Sequence, residues 1–287
     1  MFLYFIFMLC FNLSNIALSS FSGVPRISII TSIYDGDQFI ESFLTDITRQ
    51  TIFHECELIL INANSPGHEE TVIKKFVARF PNIRYKRLTQ DPGLYGVWNM
   101  GIKLARGQFI TNANLDDRLA PQCYQVHADA LLKNPEVVLV YSDKYMTHKP
   151  NETFEKHTAP YVTNLSQFSP ENMGNSLPSN NPMWRKSVHS RYGFFNEKYK
   201  SAGDWEMWLR IVEGGDKFLK INDVFCLSYL NPKGLSTGKL GDLPAREVLE
   251  IAENYKHVLS HSNLSASEIL KLAVEKWNKE VIHKVTR

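Results

Sequence analysis

Two adjacent carboxylates, Asp116 and Asp117, lie in the segment 111–121, between an apolar strand pattern and a helical pattern that opens with a proline. Carboxylate oxygens are preferred ligands of Mg²⁺ and Mn²⁺, which also bind phosphate oxygens. A cation held there could stabilise the negative charge that develops on a leaving diphosphate. The alternative interpretation is that the two aspartates only cap the following helix, a contribution of about 1 kcal/mol for one Asp.

A third acidic residue, Asp204, begins an aromatic-rich helical pattern at 201–213. A carboxylate beside bulky aromatic side chains is partly desolvated, which raises its pKa towards the range that a general base needs. Glu206 is a rival for this role. At 3.6 residues per helical turn it points about 200° away from Asp204, so only one of the two should face a cleft. An N-cap role for Asp204, with Trp205 and Trp208 as core residues, is the alternative.

Strand-like and helix-like segments alternate from Arg26 onwards. The predicted strands are 27–33, 57–61, 83–88, 108–113 and 137–142, and the predicted helices are 39–47 with Asp37 as its cap, 69–80, 94–105, 121–132 and 201–213. This alternation predicts an α/β fold with a mostly parallel, Rossmann-like sheet flanked by helices, in which ligands bind at the carboxyl ends of the strands. The pair Asp116–Asp117 falls at that edge. Two C-terminal helices are predicted at 245–260 and 265–284.

Composition narrows the class of protein. The 287 residues are 44% hydrophobic and 22% charged, which is typical of a folded globular chain. The net charge of +2 does not indicate the basic surface that a nucleic-acid-binding protein needs, so nucleic acid is not an expected partner. The four cysteines and nine histidines lack the spacing of zinc ligands. A nucleotidyltransferase would need an early glycine-rich, basic phosphate loop, whereas residues 34–37 are acidic.

The domain organisation predicted from the sequence has three parts. Residues 1–24 form an apolar signal or anchor segment, 25–240 form the catalytic domain, and 241–287 form a helical extension. The uninterrupted apolar run at 1–11 is short for a membrane span and suits the apolar core of a signal peptide, although no positive charge precedes it. We expect association with a membrane through this segment, or export if it is cleaved.

Over residues 26–232 the order and spacing of these segments resemble the family 2 glycosyltransferases. The matching segments are 29–33 with Gln50 and Thr51, 57–65, 91–99 and 105–107, followed by the segments of Asp116, Asp117 and Asp204. The resemblance implies a GT-A fold and an enzyme that moves a sugar from a nucleotide diphosphate sugar to an acceptor hydroxyl, on a glycan or a lipid-linked molecule. It also implies dependence on Mn²⁺ or Mg²⁺ and inversion at the anomeric carbon.

The same resemblance implies roles for individual residues. Asp116 and Asp117 would hold the metal and the diphosphate sugar, and Asp204 would be the catalytic base. The substrate-binding positions that it implies are Thr31, Asn62, Asn64, Asn99, Asp116 and Trp205. Lys233 and Lys239 are candidates to close over the diphosphate, or are solvated loop residues. The aromatic segments 184–186 and 192–195 could stack against an acceptor sugar, or could belong to the core.

Two departures from the family pattern motivate a second interpretation. Family members commonly carry paired aspartates after the second strand, where this chain has Asn62 and Ala63. An Asn can still hydrogen-bond the edge of a uracil or thymine, but it is not an acceptor-only carboxylate. The first acid of the metal-binding motif is likewise replaced, by Asn114. The alternative is therefore a catalytically weak GT-A domain that binds a nucleotide or a glycan as an interaction module.

Overall fold

The computed structural model describes residues 23–175, 177–235, 242–259 and 268. The strands are β1 (Ile27–Ile33), β2 (Cys56–Asn62), β3 (Ile83–Arg87), β4 (Phe109–Asn112), β5 (Arg118–Leu119), β6 (Val137–Thr147), β7 (Tyr161–Thr163), β8 (Met183–Arg185) and β9 (Lys217–Tyr229). The helices are α1 (Ile40–Thr48), α2 (Glu69–Val77), α3 (Leu94–Leu104), α4 (Cys123–Lys133), α5 (Val188–Tyr192), α6 (Gly203–Glu213), α7 (Leu243–Asn254) and α8 (Lys256–Leu259). Two 3₁₀ helices are formed by Phe53–Glu55 and Pro170–Asn175.

These strands form one sheet in the order β3-β2-β1-β4-β8-β6-β9-β5, with β7 paired to β6. The first four are mutually parallel, and β6 and β9 are parallel to each other. The α/β fold with a mostly parallel sheet is confirmed. The antiparallel strands β5, β7 and β8 were not predicted, because each has only two or three residues. Strand β8 joins the two parallel parts by pairing with both β4 and β6.

The core lies on both faces of this sheet because successive side chains of a strand point to opposite faces. On β1, Ile29 packs in one apolar cluster with Phe43 of α1, and Ile30 packs in the other with Ile102 of α3. Helix α3 approaches β1 closely at Gly101, where an added Cβ would lie 2.4 Å from an Ile30 methyl carbon. This contact packs the C-terminal half of α3 against the middle of β1.

Several boundaries differ from the sequence-based expectation. Asp37 does not cap α1: its Oδ1 accepts a hydrogen bond from the backbone N–H of His68, 2.7 Å away, and so ties the β1–α1 loop to the start of α2. The helix predicted at 245–260 is two helices, α7 and α8, separated at Tyr255. The apolar residues 1–22, Lys239 and the helix predicted at 265–284 lie outside the described ranges, apart from residue 268.

None of the helices in the described ranges combines the length and the apolar character that a membrane crossing requires.

Candidate functional site

Asp117 lies in the turn that follows β4, where three hydrogen-bond donors hold its carboxylate. This carboxylate is 5% exposed. Its Oδ2 accepts hydrogen bonds from the amides of Asn114 and Asn180, at 3.0 and 3.1 Å, and its Oδ1 accepts one from the backbone N–H of Tyr229 at 3.3 Å. The helix-cap alternative is wrong, because α4 begins after Gln122 and has no side-chain cap.

Asp116 lies in the same turn with a different environment. It is half-buried, and its Oδ2 accepts a hydrogen bond from the Asn231 amide at 2.9 Å. Burial, followed by the negative charge of Asp117, raises the pKa of Asp116. Such a carboxylate is costly to keep charged without a nearby cation, so the turn favours a positively charged ligand.

Arg118 is a determinant of this turn that sequence reasoning missed. Its side chain is buried, and Nη1 donates to the carbonyl oxygens of Leu115 and Asp117 at 2.9 and 2.5 Å. Nη2 donates to the Ser42 hydroxyl of α1 and to Asn151 Oδ1. One guanidinium therefore fixes, against α1, the shape of the turn that contains Asp116 and Asp117, which we call the acidic turn. The only signal in the sequence was a basic residue directly after two acids.

Asp204 lies in the first turn of α6, where its Oδ1 accepts hydrogen bonds from Trp205 N at 2.9 Å and from the Tyr95 hydroxyl at 3.2 Å. Burial raises the pKa of Asp204 despite these two donors. Gly203 makes the contact with Tyr95 possible, since an added Cβ would meet the Tyr95 ring at 2.7 Å. Tyr95 belongs to the first turn of α3, so Asp204 lies at the same strand edge as Asp116.

Glu206, the rival for the base, has a structural role in the same helix. Its carboxylate forms an ion pair with Arg210 at 2.7 Å and accepts a hydrogen bond from the Tyr255 hydroxyl at 2.8 Å. It is 6% exposed. Of Asp204 and Glu206, Asp204 is the one for which the described residues provide no ion-pair partner.

The loop after β2 is held by its own side chains. Asn62 is fully buried; its Oδ1 accepts the Ser65 N–H at 2.8 Å, and its Nδ2 has no acceptor among the described residues. The Ser65 hydroxyl donates to Glu69 Oε1, which also accepts the Gly36 N–H, both at 2.7 Å. Asn64 is exposed and adopts a left-handed conformation with φ 58°. Asn62 and Glu69 therefore shape the loop, and Asn64 is one of its solvent-exposed side chains.

Three other residues that were predicted to contact the substrate are buried. Thr31 is fully buried, with a hydroxyl that has no partner in the described part of the chain. Asn99 uses its amide oxygen and nitrogen to bind the backbone N–H and C=O of Phe195, at 2.9 and 2.8 Å. Trp205 donates its indole N–H to the Met173 carbonyl at 2.8 Å. Asn99 and Trp205 thus connect elements around Asp204, and the substrate contacts of all three stay predictions.

The aromatic segments before α6 are mainly core. Trp184 and Phe195 are 1% and 3% exposed, and Trp184 packs against Trp208 with ring centroids 5.3 Å apart. Phe194, in contrast, is 37% exposed. Its ring stacks on His189 with the ring centroids 5.5 Å apart.

A cleft of about 550 Å³ lies at the amino end of β4, the edge opposite to Asp116. Its lining includes Lys103, Gln108, Arg185, Lys186, His189 and Phe194. Arg185 and Lys186 already donate to backbone carbonyl oxygens there, so these cations stabilise the fold. The cleft is separate from the carboxylates described above.

The acidic turn fits a metal ion only together with a phosphate ligand. Among the residues that the structure describes, no three His, Cys, Asp or Glu side chains converge in a set that could hold a metal. Asp117 is occupied by three donors, whereas Asp116 has one side-chain donor out of about four lone-pair sites. Mg²⁺ and similar ions are commonly bound by one or two carboxylates with substrate phosphates and water completing the shell. Asp116 matches that pattern.

Comparison with known proteins places the chain in a family. The model of Glycosyl transferase family 2 matches residues 28–193, more than half of the chain. The protein belongs to the family 2 glycosyltransferases. Asp204 and the helices α6 to α8 lie beyond the matched range.

The chain aligns with part of the length of its curated relatives. It is 25% identical over 225 residues to a hyaluronan synthase of Pasteurella multocida, covering 78% of this chain and 22% of that protein. It is 24% identical over 203 residues to a chondroitin synthase of Pasteurella multocida strain Pm70, covering 70% and 20%. The chain spans about a fifth of the length of these curated relatives.

Solved structures with the same fold confirm the GT-A prediction. S. aureus TarS 1-349 in complex with UDP-GlcNAc has a TM-score of 0.67 at 13% identity, over 90% of this chain and 73% of TarS 1-349. A mannosyltransferase from Pyrobaculum calidifontis in complex with GDP-Man and Mn²⁺ has a TM-score of 0.62 at 15% identity, over 92% and 76%.

Proposed function

We propose that this protein transfers a sugar from a nucleotide diphosphate sugar to an acceptor hydroxyl with inversion, using Asp204 as the base and Mn²⁺ or Mg²⁺ at Asp116. The observation that carries the proposal is the position of Asp204: a partly buried carboxylate with a raised pKa, bound to Tyr95 at the strand edge that also holds the acidic turn. Membership of family 2 supports it, as do the UDP-GlcNAc and GDP-Man complexes of proteins with the same fold.

The reaction is a single displacement. Asp204 accepts the proton of the acceptor hydroxyl, the hydroxyl oxygen forms a bond to the anomeric carbon, and the bond from that carbon to the diphosphate oxygen breaks. The diphosphate leaves with the bonding electrons. A divalent cation bound by Asp116 and the diphosphate would offset the charge on this leaving group. Tyr95 and the Trp205 N–H hold Asp204 Oδ1, so Oδ2 is the oxygen left to receive the proton.

The donor and the acceptor are proposed by class. We propose that Asn64, exposed in the loop after β2, contacts the nucleotide base; Asn62 fixes this loop. The similarity to hyaluronan and chondroitin synthases supports a glycan or a lipid-linked glycan as acceptor. We also propose that the apolar segment 1–24 associates the protein with a membrane, which fractionation of the full-length chain tests.

Donor binding and transfer are measured separately. Thermal unfolding is followed with UDP, UDP-GlcNAc, GDP and GDP-Man, with and without Mn²⁺, because a ligand of the native state raises the Tm. Transfer is then measured with the donor that binds. Asp204→Asn should keep the metal-dependent Tm increase and lose transfer by a factor of about 10² or more. The matched control is Asp223→Asn, at an exposed carboxylate on β9.

The outcomes decide between the two interpretations of the sequence. Full transfer by Asp204→Asn would exclude the proposed base. Binding of a donor by the wild-type protein without transfer to any glycan acceptor would favour the alternative, an interaction module that recognises a nucleotide or a glycan.

A further inference from the structure

The carboxylate of Glu247, on helix α7, lies at the start of α6, the helix that carries Asp204. Glu247 is 6% exposed. Its Oε1 accepts the backbone N–H of Lys200 at 2.6 Å, and its Oε2 accepts those of Ser201 and Ala202 at 2.9 and 3.0 Å. Three successive amides that precede α6 therefore converge on one buried carboxylate.

This arrangement takes the place of an N-cap formed by a residue adjacent to α6 in the sequence. Helix α6 begins after Ala202, which has no side chain able to accept a hydrogen bond, and no side chain of its own segment caps it. Consecutive backbone N–H groups and a helix N-terminus together form a favourable environment for an anion. Glu247 supplies that anion from 45 residues further along the chain than Ala202, so the position of residues 200–204 depends on α7.

A second contact joins the same two parts of the molecule. The Tyr255 hydroxyl, between α7 and α8, donates to Glu206 on α6 at 2.8 Å. The segment 242–259 thus holds the residues just before α6 through Glu247 and the first turn of α6 through Tyr255. Both residues lie outside the region that matches the family.

The charge of Glu247 also acts on Asp204. Four groups act on this carboxylate: the Tyr95 hydroxyl from α3, the backbone N–H groups of Trp205 and of Asp204 itself, and Glu247 from α7. Besides burial, the negative charge of Glu247 raises the pKa of Asp204, whereas the three donors lower it. Removal of that charge should therefore lower the pKa of Asp204.

We propose that Glu247 is a positioning residue for the proposed base Asp204, so that α7 is part of the catalytic centre. This inference rests on the function proposed above. Glu247 does not touch the substrate in this role; it fixes the backbone that presents Asp204 and sets the electrostatic environment of its carboxylate.

The test compares Glu247→Gln with Glu253→Gln in the full-length protein. Glu253 lies on the same helix, and its carboxylate, 66% exposed, forms an ion pair with Lys256. We expect Glu247→Gln to lower kcat about tenfold with a smaller change in the donor KM, since a displaced reacting group slows the chemical step. The acid limb of the pH–rate profile should move to lower pH by roughly half a unit or more. Glu253→Gln should change neither.

Two further measurements keep the inference testable. Carboxyl carbon NMR of Asp-labelled protein gives the pKa of Asp204 without any turnover, and it should be lower in Glu247→Gln than in the wild type. Glu247→Asp keeps the charge but shortens the reach, so kcat should fall while the acid limb stays at the wild-type pH. This variant also decides the case if Glu247→Gln does not fold.

An unchanged pKa of Asp204 in folded Glu247→Gln, or an unchanged kcat in Glu247→Asp, would overturn the inference. Failure of the wild-type protein to transfer any sugar would overturn the proposed function instead, and the NMR titration would still decide whether Glu247 controls Asp204.

Discussion

His127 offers a quantitative test of the structure that does not depend on knowing the substrate. This residue of α4 is 0% exposed, and neither ring nitrogen has a hydrogen-bond partner in the described part of the chain. Its nearest ring neighbour is Phe225, edge to face, with centroids 5.8 Å apart. Burial lowers the pKa of His127 to about 4. The folded protein therefore holds this imidazole neutral.

The direction of the pH effect follows from where the proton binds. The pKa of His127 is near 6.5 in the unfolded chain, so the unfolded state binds more protons between pH 6.5 and 4. The stability associated with neutral His127 is fully present above pH 6.5 and is lost as the pH falls towards 4. At about 1.4 kcal/mol for each pH unit between the two pKa values, this loss amounts to about 3 kcal/mol.

The variant His127→Leu removes the titrating group and leaves an apolar side chain of similar size. We expect its free energy of unfolding to be at least equal to that of the wild type at pH 7, because two unpartnered buried nitrogens are removed. Relative to the wild type, the variant should gain about 3 kcal/mol between pH 7 and pH 4. Urea unfolding at pH 7, 5.5 and 4, followed by circular dichroism, measures the difference.

The difference between variant and wild type is the informative quantity, since other groups titrate in the same range. Burial raises the pKa of Asp46 to about 6, and this carboxyl therefore acts in the opposite direction. His148→Leu, the same substitution at an exposed histidine, is the matched control. Parallel stability curves for His127→Leu and the wild type would refute the assignment of a neutral, buried imidazole.

Three further outcomes follow from the structure. Asp116→Ala should abolish the Mn²⁺-dependent part of the Tm increase caused by the donor that binds, and an equal increase in both proteins would remove Asp116 from the metal site. Gly203→Ala should move the Tyr95 ring, 2.7 Å from the new Cβ, and lower transfer about tenfold without unfolding the protein, which kinetics and circular dichroism test together. Glu57→Ala should lower the free energy of unfolding by about 3 kcal/mol, since its buried carboxylate pairs with two arginines, and urea denaturation measures the loss.

The sequence predicted the parallel half of the sheet because its strands are continuous β-branched runs such as Ile27–Ile33, buried on both faces. It did not predict β8, whose three residues gain their partners only from β4 and β6. Short strands of this kind depend on long-range pairing rather than on local pattern. The same limit explains the error at Asp37, whose partner is the start of another helix rather than its own.

For the site, residue type and spacing were enough to select Asp116, Asp117 and Asp204 as candidates. They could not show which carboxylates were occupied by the protein itself. The three donors of Asp117 come from residues 114, 180 and 229, and the group that holds the start of α6 comes from Glu247. Apart from Asn114, these partners are distant along the chain and leave no local periodicity, so only the folded arrangement reveals them.

The side chain of Asn151 has a consequence for the choice of an expression host. Asn151, Glu152 and Thr153 form an acceptor sequence for N-linked glycosylation. In the folded protein the Asn151 Nδ2 donates to the Gln38 carbonyl at 2.9 Å, and its Oδ1 accepts from Arg118. A glycan attached to Nδ2 during secretion would displace that contact and loosen the guanidinium that shapes the acidic turn. Production in a host that lacks this modification preserves the turn without changing the sequence.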